Sequence, residues 1–336
     1  MSITDLASVV LFGILLATAL AITRTRSLYA AAMLGGLFSL VSASLFVLLD
    51  AVDVAFTEAA VGAGISTVLF IIALALTRSR EATTPRRRVI PAGLVAVLAT
   101  AGLIYASQDL PPVGDAGNPV QTHPVTTTYL EDSQEDIGVP NTVTSVLASY
   151  RGYDTLGEVV VIFTAGVGVL LLMLLVNPSK DPESSAVGAN PPRLHTEYRI
   201  LRVVSKTLMP FIMVFALYVL LHGEYGPGGG FQAGVIFAAG FILYGLVFGL
   251  ESVQQVLPTE VLVRLIPVGV LIYAGVGVAN LMLGGSFLEY NTFVPGHPSE
   301  GQEIGILLIE IGVGITVAAG MVAIFYALVS RGVVRR

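Results

Sequence analysis

Long apolar runs of about twenty residues, broken by short polar or charged segments, dominate the chain from end to end. A helix needs about 20 apolar residues to cross a hydrocarbon core about 30 Å thick. The pattern predicts nine such helices, near residues 3–23, 28–49, 54–77, 89–107, 154–176, 203–221, 229–250, 261–283 and 303–328. The runs are continuous, whereas barrel strands would show short segments of alternating polarity. Two stretches interrupt the series. Residues 108–140, with PPVGDAGNP at their start, read as an irregular outer loop. Residues 177–195, NPSKDPESSAVGANPPRLH, read as a flexible linker. Five spans precede the linker and four follow it, with no convincing internal repeat between the halves. The expected fold class is all-α: a polytopic membrane protein of about nine transmembrane helices.

Charge sets the orientation. Of the 17 Lys and Arg residues, all but Arg151 fall on one side of the predicted bilayer. Arg24 and Arg26 follow the first span, and Arg78, Arg80, Arg86, Arg87 and Arg88 follow the third. Lys180, Arg193, Arg199, Arg202 and Lys206 lie between the fifth and sixth. Arg264 opens the eighth, and Arg331, Arg335 and Arg336 follow the ninth. Such an excess marks the cytoplasmic side, so the N-terminus is expected outside and the C-terminus in the cytoplasm. The first span does not read as a cleaved signal peptide, because its positive charges come after the apolar run. Acids gather on the outer side, at Asp109, Asp115, Glu131, Asp132, Glu135 and Asp136. They either attract cations weakly or are simply solvated.

Composition narrows the chemistry. Hydrophobic residues make up 54% and charged residues 12% of the chain, and cysteine is absent. The absence of cysteine excludes thiolate metal sites, iron–sulfur clusters and disulfides within this chain. Only His222 of the four histidines lies at a span, so a pair of His haem ligands inside the bilayer is not available. No GxxxxGK[ST] loop is present. No cofactor is expected, nor any nucleic acid; the lipid bilayer is the surrounding solvent.

Function is then to be sought among acids inside the spans, where an ionised carboxylate at mid-bilayer costs about 2.5–3.5 kcal/mol on insertion scales. Glu58 lies about a turn into the third span and is followed by Ala59, Ala60, Gly62, Ala63 and Gly64, which allow close helix approach. It is either an ion station or an interfacial Glu bonded to a neighbouring helix. Asp154 and Glu158 open the fifth span on one helix face. Arg151, one turn earlier, is placed to pair with Asp154 and leave Glu158 deeper and freer. The trio is either a relay or a structural ion-pair cluster. Glu310 lies about two turns into the ninth span, with Glu303 on its face and Gly305, Gly312 and Gly314 leaving room nearby for another helix or water; it is either an ion station or a packed polar contact between subunits. Between the sixth and seventh spans runs HGEYGPGGGFQAG, His222 to Gly234. Pro227 and Gly228 turn the chain, and the next helix is expected near Gly229 with exposed amides. Gly230, Gly234 and Ala238 then repeat at the spacing of tightly packed helices. His222 is more readily a packing or capping group than a proton carrier, and Lys206 is expected to snorkel.

These segments carry a resemblance. DAVDVAFTEAAVGAGISTVLFIIALAL resembles the C-terminal region of MrpA, the large component of Mrp-type multi-subunit cation/proton antiporters, and also MbhD of membrane-bound hydrogenases. SVLASYRGYDTLGEVVVIFTAGVGVLLL resembles the MbhE-like portion that follows, and LYVLLHGEYGPGGGFQAGVIFAAGFIL is similar to MrpB, where HGxxxPGGGF is typical. Glu224 departs from that pattern, standing where MrpB often has a second His. The resemblance implies an MrpA C-terminal region fused to an MrpB (MnhB-like) partner. Residues 1–107 would hold the MbhD-like helices and the first MbhE-like helix, 108–140 the outer loop and 141–176 the rest of the MbhE-like segment. Residues 177–199 would form the cytoplasmic linker and 200–336 the MrpB-like four-helix domain.

The same resemblance implies a secondary-transporter subunit, not an enzyme in itself. The family's important acids carry over onto Glu58, Asp154 and Glu158, and depth in the ninth span adds Glu310; these would contribute to a Na+ or H+ route, with transient Na+ at Glu58, Asp154 and Glu158 and no stable metal. Arg151, His222, Glu224, Gly228, Gly229 and Gly230 would support it. Implied partners are antiporter-like subunits of MrpA and MrpD type and small subunits of MrpC, MrpE, MrpF and MrpG type. The antiporter-like core of MrpA is not among these residues, so the chain alone should not complete a proton path. Two other readings stay open: the same module in a hydrogenase or related redox-driven pump, and a scaffold subunit that moves no ions.

Overall fold

The computed structural model describes residues 3–77, 86–112, 114–175 and 199–334. Among these, nine helical spans are long and apolar enough to cross a membrane, and no strand is present. We label the helices α1 (Ile3–Arg24), α2 (Leu28–Leu48), α3 (Val52–Glu58), α4 (Thr67–Thr77), α5 (Arg86–Ser107), α6 (Gly152–Leu175), α7 (Arg199–Leu221), α8 (Gly230–Phe248), α9 (Thr259–Met282) and α10 (Pro298–Val334). The third span is α3 and α4 joined through a π-helical segment, Ala59–Ser66. Most of the linker, with Lys180 and Arg193, lies outside the described residues, as do Arg78, Arg80, Arg335 and Arg336.

Burial is uneven. α10 is the central post, packed against α9, α8 and α6. From Val89 to Ser107 α5 has no buried residue, and α1 has only Thr18. One hydrophobic core nevertheless crosses both halves. It joins Ile65, Ile137, Ala148 and Val159 to Val235, Ile266, Ile306 and Val317. Tyrosine hydroxyls stitch it, because a buried phenol needs a partner at its polar end. Tyr273 donates to the Gly152 carbonyl at 2.7 Å and Tyr290 to that of Ala148 at 2.9 Å, both fixing the start of α6.

Two sequence expectations change. The segment 108–140 is not an irregular loop: short helical turns occupy Pro119–Thr122, Pro124–Thr127, Thr128–Asp132 and Ser133–Ile137. Its prolines start helices where turns were expected, since a Pro at the first helical position lacks only an amide that would be unpaired anyway. Asn118 and His123 cap these turns, accepting from the amides of Val120 (3.0 Å) and Val125 (3.2 Å). The ninth span is also longer than its apolar run, beginning at Pro298 instead of near 303. Glu310 therefore lies more than three turns into its helix, not two.

The two faces of the bundle differ in charge. The turns between α5 and α6 carry the acids of 109–136, and among the described residues Arg24, Arg26, Arg87, Arg199, Arg202 and Arg264 fall, by the alternation of spans, toward the opposite face. In a chain without cysteine, single substitutions report sidedness cleanly. Asp115→Cys is expected to react with a membrane-impermeant maleimide on intact cells, and Gln255→Cys only after permeabilisation. The reverse pattern would invert the orientation.

Candidate functional site

The segment between α7 and α8 is a glycine corner held from three directions. The Asn141 side-chain amide donates to the carbonyls of Gly226 (2.9 Å) and Gly223 (3.3 Å) and reaches Asp53 Oδ1 at 3.5 Å. Thr144 Oγ donates to the Gly223 carbonyl at 2.6 Å. The Asn141 amide N–H donates to the Glu224 carbonyl (3.0 Å), and the Gly228 N–H to Asp53 Oδ1 (3.4 Å). A tight turn with many unpaired carbonyls needs such donors, since a buried unpaired backbone group costs as much as a lost hydrogen bond. α8 begins at Gly230. The amides of Gly228 and Gly229 are engaged instead of exposed, that of Gly229 with the Val219 carbonyl at 3.2 Å.

Glu310 on α10 lies beneath this corner. It is 9% exposed, and its Oε2 is buried without a hydrogen-bond partner. Its Oε1 lies 3.1 Å from where a β-carbon of Gly229 would sit. Gly229 has φ 122°, a region only glycine occupies freely. A β-carbon on Gly230 would overlap the backbone carbonyl oxygen of Glu310. The absence of side chains at 229 and 230 therefore lets α8 start directly over the carboxylate, where the positive end of a helix favours negative charge. Glu224, half-buried in the corner, is within electrostatic reach of both Glu303 and Glu310. Burial first, and then the charge of Glu303, push its carboxyl above the usual range.

The structure brings together only part of the candidate set. Glu310, Glu224 and Gly228–Gly230 converge, and α3 joins them through Asp53 and through Thr57, whose Oγ accepts from Gln232 Nε2 at 2.9 Å. Glu58 is half-buried where α3 passes into the π-helical segment. Its Oε1 and Ser39 Oγ both approach Gly62. Asp154 and Glu158 share one face of α6, but that face is exposed. Arg151 pairs with Asp154 at 2.5 Å. Among the described residues no group of three or more His, Asp and Glu side chains is placed to hold a metal ion, so Glu58, Asp154 and Glu158 do not share one cage. His222 is a packing group, its ring stacked on Tyr218 (4.8 Å between centroids) and facing Tyr225 (6.0 Å). The room expected around Glu310 is filled in part: Tyr290 covers Gly305, and Gly269 covers Gly312. Asp53, Thr57, Asn141 and Gln232 escaped the sequence reading. Gln232 alone left a signal, a carboxamide near the start of an apolar helix.

Comparison with known proteins decides the family. Residues 200–323 match the domain related to the MnhB subunit of Na+/H+ antiporters. The antiporter subunit mnhB2 of Staphylococcus haemolyticus is 34% identical over 131 residues, 38% of this chain and 92% of that protein. The chain belongs to the MnhB family of antiporter subunits. Ahead of the MnhB-type region, residues 13–79 match the MbhD family and 87–188 the MbhE family, both described as MBH subunits. An A/B-type K+/H+ antiporter protein of Rhizobium meliloti is 30% identical over 64% of this chain. A chain of the Mrp complex from Dietzia superposes with TM-score 0.75 at 28% identity over 95% of this chain. A chain of an archaeal membrane-bound sulfane sulfur reductase superposes with TM-score 0.54 at 30% identity, over 72% of this chain and 97% of that one. The MnhB-family chain spans only 23% of the Rhizobium protein and 34% of the Dietzia chain. It is a multi-pass protein of the cell membrane.

Two outcomes test this geometry. Asn141→Ala strips donors from the Gly223 and Gly226 carbonyls and is expected to cost about 1–3 kcal/mol. Faster amide exchange in 222–229 would report it, and unchanged protection would show that the corner is held by other means. A carboxyl whose folded pKa is raised contributes stability that is full below the ordinary value of about 4.3 and is lost as pH rises through the raised one. The thermal midpoint of Glu224→Gln should therefore fall less than that of the parent protein as pH is raised from about 4 to 7. Equal slopes would refute the raised carboxyl.

Proposed function

We propose that this chain is a membrane subunit of an Mrp-type cation/proton antiporter complex, and that its intramembrane acids contribute to the cation route. The reading takes residues 1–107 and 141–176 as the MrpA-type C-terminal region and 200–336 as the MrpB-type domain, joined through 177–199. It treats the chain as a transporter subunit without enzymatic activity of its own. The observation that carries it is Glu310. A carboxylate buried within a span, with one oxygen unpartnered, carries a desolvation cost and by default marks a functional site.

The proposed partners are antiporter-like subunits of MrpA and MrpD type and small subunits of MrpC, MrpE, MrpF and MrpG type. Surface chemistry supports partners: Glu158 is exposed on α6 inside a span, where bare lipid would be costly, and α5 buries no residue from Val89 to Ser107 within this chain. Glu58, Asp154 and Glu158 are proposed as further stations, where Na+ would bind transiently, with the Arg151–Asp154 pair setting the charge at the outer end of α6. We take the N-terminus to lie outside and the C-terminus in the cytoplasm, a reading supported by the excess of Lys and Arg on one side. A second reading, the same module in a redox-driven complex, is favoured by the likeness to a sulfane sulfur reductase chain.

In the assembled complex, Glu310→Gln and Glu158→Gln are each expected to lower Na+-dependent proton exchange about tenfold or more, as for a barrier raised by about 1.4 kcal/mol. Fluorescence quenching of a ΔpH dye in everted vesicles measures it. Full exchange in both variants, with normal assembly, would leave a scaffold role instead.

A further inference from the structure

Beneath the glycine corner, two side-chain oxygens converge beside Gly229. Glu310 Oε1 lies 3.1 Å and Gln232 Oε1 3.6 Å from the point that a β-carbon of Gly229 would occupy. The orientation of the Gln232 amide follows from its neighbours. Thr57 donates its hydroxyl to the Asp53 carbonyl at 3.0 Å, so it can only accept from Gln232, which must present its nitrogen there. Its oxygen is thereby turned to the corner. Gln232 is 8% exposed and Glu310 9%. A carboxylate and a carboxamide oxygen, with Glu310 Oε2 unpartnered beside them, form a donor set for a hard cation.

Acids lead toward these oxygens from the acidic face. Glu303 is exposed, two turns or about 10 Å before Glu310 on α10. Glu224 is half-buried, senses the charge of Glu303 and is itself within electrostatic reach of Glu310. Its neighbour Gly223 lies against Glu310, Oε2 being 3.2 Å from the place of the Gly223 β-carbon. Acids lining a narrowing, low-dielectric path raise the local concentration of cations.

We propose that the side-chain oxygens of Glu310 and Gln232 beside Gly229 bind one small monovalent cation of the Na+ class, reached from the acidic face by way of Glu303 and Glu224. This rests on the antiporter-subunit reading and gives it a location. A proton on Glu310 removes the anionic oxygen the cation needs, so proton and cation exclude each other at this carboxylate.

The test uses the whole complex in everted vesicles and in oriented liposomes, with NaCl titrated on the acidic face. Glu224→Gln and Glu303→Gln are expected to raise the apparent KM for Na+ about three- to tenfold, with exchange at saturation retained. Gln232→Met, which keeps the shape and removes the oxygen, is expected to raise KM for Na+ and alter the preference over K+. Glu300→Gln, an exposed acid of the same face paired with His297, is expected to change nothing. An unaltered KM in the first three variants would overturn the proposal. If Glu310→Gln still abolishes exchange in that case, the antiporter-subunit reading stands alone. Should the Gln variants fail to assemble, Glu224→Cys modified by positively or negatively charged thiol reagents separates the outcomes. The negative adduct should restore a low KM and the positive one should not; equal effects would overturn the proposal.

Discussion

The structure depends on how closely α8 can start above α10. Backbone meets backbone where Gly230 rests on the carbonyl of Glu310, and Gly234 makes a similar contact with Gly314 farther along. Without a hydrophobic drive between helices in lipid, such small-residue crossings supply the dispersion contact that holds spans together. The same crossing decides where charge can live. A side chain at 230 would lift α8 away and open the Glu310 carboxylate to lipid or water, and one at 229 would strain a backbone of positive φ and press on the carboxylate. With glycine there, the carboxylate is sealed at a helix N-terminus, a setting that partly offsets its desolvation.

This corner also binds the two halves of the chain into one body. Asp53 and Thr57 come from the third span, Asn141 and Thr144 from the segment ahead of α6, and Gln232 and Glu310 from the MnhB-type region. The tyrosines at 273 and 290 make a second seam at the start of α6. A hydrogen bond of this kind is worth about 0.5–1.5 kcal/mol net, but losing one partner strands a buried polar group. Polar residues therefore gather at the seams, while the surfaces of α1 and α5 stay apolar.

The acids of the chain consequently fall into two environments. Glu224 and Glu310 are enclosed by the chain's own helices, and Glu310 is the buried end of that pair. Asp154 and Glu158 face outward on α6, and Glu58 sits between these extremes, at a π-helical break lined by small residues. Such breaks loosen the regular ladder and are often found at functional sites. One polypeptide thus presents both enclosed carboxyl groups and an outward-facing pair of acids.

Much of this was legible from residue order. The nine spans follow from apolar length alone, because lipid offers no partner to an unsatisfied backbone and only helices of sufficient length solve that problem. The Arg151–Asp154 pair follows from helical spacing, and the small-residue run 230–238 announces a close crossing. The short helices of 119–137 did not show, because a proline reads alike at a turn and at a first helical position. Nor did the clamp of Asp53 and Asn141, since 88 residues separate two groups that meet only after folding. Sequence alone determined that acids lie within the membrane span. Which of them is sealed and which faces outward was decided by tertiary structure, because burial is set by the crossing of helices and not by the residues themselves.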